Sequence, residues 1–103
     1  MERYITFSID DGNKLDLKLL NLLEKYGFRG TFYVPQEFYL KNLSDEEVRL
    51  ISRSQEIGGH TLSHCSLGMV SENKQKEEIF GCKKYLENVI EKEINTIKYK
   101  LIL

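Results

Sequence analysis

Short strand-like runs alternate with longer helix-like ones along the whole of this chain, and few architectures accept that order. Tyr4-Ile-Thr-Phe-Ser-Ile9 has the β-branched and aromatic content of a buried strand, closed abruptly by Asp10, Asp11 and Gly12. Leu15, Leu19, Leu22, Leu23 and Tyr26 then recur at helical spacing. Asn13 is the expected N-cap, Asp16 falls in the first turn, and Gly27 supplies a left-handed stop. Gly30 to Val34 reads as a second strand, ended by Pro35. Leu43-Ser44-Asp-Glu-Glu47-Val48 has the pattern of a capping box with a hydrophobic staple, opening a helix towards Arg53.

An extended piece at Glu56-Ile57 leads into Gly58-Gly59-His60-Thr-Leu-Ser-His64. Ser71 is placed to cap the longest helix, whose apolar face carries Ile79, Cys82, Leu86, Val89 and Ile90. Ile94 to Leu103 reads as a last strand with an apolar tail. The order β-α-β-α-β-α-β, without repeat or linker, predicts an α/β fold with a parallel sheet and covering helices. Ligands bind such folds at the carboxyl edge of the strands.

Composition narrows the function classes. Fifteen Lys+Arg against sixteen Asp+Glu leave a net charge of -1, with no positive excess to neutralise a nucleic-acid backbone. A hydrophobic content of 41% is enough for a folded core. No apolar run approaches the roughly 18 residues of a membrane span. Acids interrupt the N-terminal residues before an apolar signal region forms, so the expected location is cytoplasmic. Cys65 and Cys82 make no Cys-x-x-Cys pair and are expected to be reduced thiols.

Two polar clusters fall at strand ends. Asp10 and Asp11 sit where an apolar strand stops; there both can turn to one cleft, one ligating a cation and the other accepting a proton. The alternative is a solvated Asp-Asp-Gly-Asn turn. His60 and His64 are the two histidines of the chain, four residues apart, the spacing at which one helical turn offers two imidazoles to one metal ion. Two surface histidines are the alternative. Together, at the ends of strands expected to be neighbours, two histidines and a carboxylate describe an open, catalytic metal site. A phosphoacceptor signalling domain also pairs acids after its first strand. It needs an aspartate after the third, where this chain has Gly58-Gly59-His60.

Thr6-Phe-Ser-Ile-Asp10-Asp11-Gly12, Tyr26-Gly-Phe-Arg-Gly-Thr-Phe-Tyr-Val34 and Glu56-Ile-Gly-Gly-His60-Thr-Leu-Ser-His64 strongly resemble the polysaccharide deacetylases, the NodB-homology domain. The resemblance implies an incomplete (β/α) barrel, with residues 1–103 as a partial domain. It implies Asp10 as catalytic base, and Asp11, His60 and His64 as ligands of a divalent metal, expected to be Zn2+. The reaction would be metal-dependent hydrolysis of an acetyl group on a sugar or polysaccharide.

The chain departs from the family at Asn13, where proline is usual, and more seriously later on. The family continues with an Arg- or aromatic-Pro-Tyr segment and a late histidine that acts as general acid. This chain instead reads Ile97-Lys-Tyr-Lys-Leu-Ile-Leu103 and has no third histidine. Weak metal binding, little turnover and self-association through an open sheet edge are therefore expected. A non-catalytic remnant or interaction module that keeps the site residues is the competing reading.

Overall fold

The computed structural model describes residues 3–99. Three parallel strands, β1 (Ser8–Asp10), β2 (Thr31–Val34) and β3 (Glu56–Gly59), lie side by side in that order. Helices α1 (Asp16–Tyr26) and α2 (Asp45–Ser52) make the crossovers, and α3 (Glu72–Ile90) follows a single 3-10 turn at Leu67–Met69. Asp10 pairs with Tyr33, and Tyr33 with Gly58, so the strand ends are level. Phe32 and Val34 of β2 are completely buried, packed in one core with Ile57, Val48, Ile51, Cys82 and Leu86. This is the expected parallel α/β arrangement.

Local sequence accounts for most element ends. Pro35 stops β2. Ser44 and Glu47 form the capping box of α2, with Leu43 and Val48 both in the core. Gly27 closes α1 at φ 71°, and Ser71 accepts the Lys74 amide at the start of α3. Among the described residues no helix is long and apolar enough to cross a membrane.

Four expectations are corrected. The first strand does not run from Tyr4, because β2 offers no partner before Thr31, whose amide donates to Phe7 O at 2.9 Å. Tyr4 and Ile5 stand 84% and 78% exposed. Asn13 does not cap α1; its Oδ1 accepts the Leu15 amide in a turn that precedes the helix. Leu15, Leu22 and Tyr26 are exposed, because the face of α1 turned to the sheet is Asp16, Leu20 and Leu23. The expected last strand is reduced to one parallel bridge, Gly59 with Ile97; residues 100–103, with the apolar tail, lie outside the described residues.

Gly58 is required by packing. A Cβ there would lie 2.6 Å from the Tyr33 ring and 2.9 Å from Thr96 Cγ2, whereas one on Gly68 would meet nothing within 4 Å. Gly58→Ala is expected to destabilise the chain by about 1–3 kcal/mol through overpacking. Gly68→Ala should stay within about 0.5 kcal/mol. Urea unfolding midpoints of the two variants check this, and equal midpoints would refute it.

Candidate metal centre

At the carboxyl edge the chain leaves β1 through two residues with positive φ, Asp11 at 82° and Gly12 at 69°. The Asp11 amide donates to Tyr33 O at 3.1 Å, and Gly12 O accepts the amides of Asn42 and Leu43. A side chain on Gly12 would be strained and would press on Lys41. This turn aims the Asp11 carboxylate across the end of β2. From β3 the chain enters a loop in which Thr61 and His64 also adopt left-handed backbone, at φ 66° and 58°. Such conformations cost about 1–3 kcal/mol each, the more so for β-branched threonine.

Asp11 Oδ1 lies 3.2 Å from His60 Nε2 and 3.0 Å from His64 Nε2. One ligand atom from each of the three residues falls within 4.8 Å of the others. His60 Nδ1 lies 2.8 Å from Lys98 O. A carbonyl only accepts, so Nδ1 carries the hydrogen and, in the neutral ring, Nε2 presents a lone pair to Asp11. The His64 ring stacks on Phe38, with centroids 3.8 Å apart and planes at 21°, and meets His60 edge-on. A carboxylate oxygen thus faces two imidazole nitrogens, with His60 buried and Asp11 and His64 half-buried. That donor set suits a divalent cation with further positions open.

Asp10 takes a different direction. Its Oδ2 pairs with Lys98 Nζ at 3.0 Å, and its Oδ1 is buried with no hydrogen-bond partner among the described residues. Lys98 thus touches both halves of the site, Asp10 through its ammonium and His60 through its carbonyl. Motif reading did not single out Lys98; its position beside the Gly59–Ile97 bridge follows only from the fold. Phe38 was equally silent in the sequence.

Two placements differ from expectation. His60 and His64 do not share a helical turn, because the segment is an irregular loop whose left-handed residues bring the rings together. The two site strands are not neighbours either: β2 stands between β1 and β3.

A polysaccharide deacetylase family model matches residues 1–100, and the chain belongs to that family. An uncharacterised 30.6 kDa protein of Geobacillus stearothermophilus is 32% identical over 78 residues, which is 76% of this chain and 29% of that protein. The Bc1960 peptidoglycan N-acetylglucosamine deacetylase superposes with a TM-score of 0.81 at 25% identity, over 93% of this chain and 46% of its own. The Streptococcus pyogenes deacetylase PplD, solved with acetate, gives 0.81 at 21%, over 89% and 43%. The chain therefore spans less than half the length of each of these relatives.

Asp16, 7% exposed in the first turn of α1, has its carboxyl pushed up to about 6. Burial is the main cause and the Asp11 charge the next; a backbone hydrogen bond at Asn13 opposes them and Asp10 adds to them. The folded chain then holds this proton more tightly than the unfolded one. The resulting stability is fully present below the ordinary value of 3.8 and is lost as pH rises through about 6. In metal-free buffer, Asp16→Asn should gain stability over the parent chain between pH 4 and 7. Parallel urea series check this, and a pH-independent difference between the two chains would refute it.

Proposed function

We propose that residues 1–103 are part of a polysaccharide deacetylase domain and carry the metal-binding side of its active site. Asp11, His60 and His64 hold a divalent cation, Zn2+ being favoured by the two nitrogen donors, and Asp10 is the general base. The observation that carries this reading is the convergence of one carboxylate oxygen and two imidazole nitrogens, one with its lone pair fixed by Lys98 O. Sugar-directed names among the relatives, such as peptidoglycan N-acetylglucosamine deacetylase, support an acetylated sugar or polysaccharide as substrate.

The bound cation supplies Lewis acidity towards an acetyl carbonyl and towards water. Asp10 receives the proton at Oδ1, the carboxylate oxygen left without a partner, while Lys98 fixes Oδ2. Phe38 limits rotation of the His64 ring. Both histidines of the chain are used as ligands in this reading. The second reading is a non-catalytic remnant or interaction module that binds the metal without turnover.

Calorimetric Zn2+ titration should show binding that is lost or weakened about 100-fold in His60→Ala and His64→Ala. Asp10→Asn should keep the metal while lowering acetate release from acetylated chito-oligosaccharide by about 10²–10⁴-fold. If all chains bind alike, the ligand set is wrong; if the metal binds and no acetate appears, the remnant reading stands.

The position of β1 as an outer strand of the described sheet, with the Tyr4 and Ile5 side chains exposed beside it, supports self-association. Sedimentation velocity should show a concentration-dependent dimer or larger species, reduced by Ile5→Lys. A monomer at every concentration would refute it.

A further inference from the structure

The loop between the two histidines is tied to α3 by a side chain outside the ligand set. Glu78 is 1% exposed and shares the buried stripe of α3 with Cys82 and Leu86. Its Oε1 accepts the Ser63 amide at 3.1 Å and also the Ser63 hydroxyl. The Cys65 thiol also interacts with this carboxylate, which raises the thiol and lowers the carboxyl. The Glu78 backbone carbonyl accepts the Leu62 amide at 3.1 Å. Burial alone would raise the Glu78 carboxyl; the hydrogen bonds from Ser63 and Cys65 outweigh it and hold it below its ordinary range.

Ser63 and Cys65 are the residues on either side of His64. Fixing both flanks fixes the left-handed backbone of His64, and with it the direction of its ring towards Asp11. On the other side of the loop, the amides of Gln36 and Glu37 donate to Thr61 O and Leu62 O, and Phe38 stacks on the His64 ring. The α3 side has no equivalent backbone strand; its only polar hold on residues 63 and 65, among the described residues, is the Glu78 carboxylate.

We propose that Glu78 is a positioning residue for the metal centre, clamping Ser63 and Cys65 so that His64 is presented to the cation before the cation arrives. This rests on the metal-site reading above. It assigns to α3 a share in cation affinity through a carboxylate that supplies no ligand atom, acting in the way outer-shell groups tune metal sites.

Co2+ titration followed by visible absorption tests this on the full chain, with melting curves recorded so that only folded protein is compared. Glu78→Gln keeps the shape but removes the charge and one acceptor; it should weaken Co2+ binding about 10-fold or more and alter the absorption bands. Ser63→Ala should do likewise, and the double variant should be no weaker than the weaker single one, because both act through one contact. A folded Glu78→Gln chain with parental affinity and bands overturns the proposal, as does a double variant whose losses multiply. Should Glu78→Gln not fold, Ser63→Ala decides alone: unchanged affinity and bands overturn the proposal. Absence of Co2+ binding by the parent chain sinks the metal reading instead. Amide exchange then decides the role of Glu78: faster exchange confined to residues 62–66 in Glu78→Gln supports it, and unchanged exchange overturns it.

Discussion

Parallel pairing in register is the constraint on which the site depends. Asp10, Tyr33 and Gly58 lie in one row across the sheet. Neighbouring strands are about 4.8 Å apart, so the exits of β1 and β3 are separated by about 10 Å with β2 between them. No straight continuation of either strand closes that gap. The chain closes it by reversing direction on both sides, at Asp11 and Gly12 after β1 and at Thr61 after β3. The exit of β2 serves as the template for both reversals. Tyr33 O accepts from Asp11, while the amides of Gln36 and Glu37 donate to Thr61 O and Leu62 O. Pro35, which can donate nothing, frees this segment from the ladder at the point where it must serve the loops.

The left-handed residues in these loops are strained, and strain of this kind persists only where the surroundings over-determine it. Thr61 is the extreme case: a β-branched residue at φ 66°, with its hydroxyl buried and unpartnered among the described residues. It is itself 1% exposed, and what holds it are the hydrogen bonds from the Gln36 and Glu37 amides at the β2 exit to Thr61 O and Leu62 O. A loop fixed in advance spares the ligand the cost of ordering it. The stability of the buried residues and the geometry of the site are therefore coupled through the backbone.

The βα order was legible because each element announces its ends locally: the Ser44–Glu47 box, Gly27, Pro35 and Ser71 all act where the sequence placed them. Spacing flagged the aspartates and histidines, but it gave the wrong local conformation. A four-residue interval fits a helical turn, and it also fits a loop with left-handed ends; periodicity does not distinguish them. The Asn13 cap failed for a related reason, because the side chain satisfied a turn amide one step too early. Lys98 was not legible, since its partners are 38 and 88 residues away in sequence and meet it only when Ile97 bridges Gly59. Glu78 did leave a trace: a carboxylate at the head of the stripe that continues through Cys82 and Leu86 must be buried, and a buried carboxylate needs donors.

Charge at the carboxyl edge follows from the same geometry. Asp10 and Asp11 are adjacent, and both raise the Asp16 carboxyl, so three acids share one electrostatic neighbourhood. Lys98 answers Asp10 through a direct ion pair. Asp11 is met instead by two imidazole nitrogens, at 3.2 and 3.0 Å, and its charge also acts on Asp16. Burial does most to make a charge on Asp16 costly, and the field of Asp11 and Asp10 adds to it; a cation placed beside Asp11 would oppose that second part. The fold sets both contributions by placing the buried start of α1 at the end of one short strand.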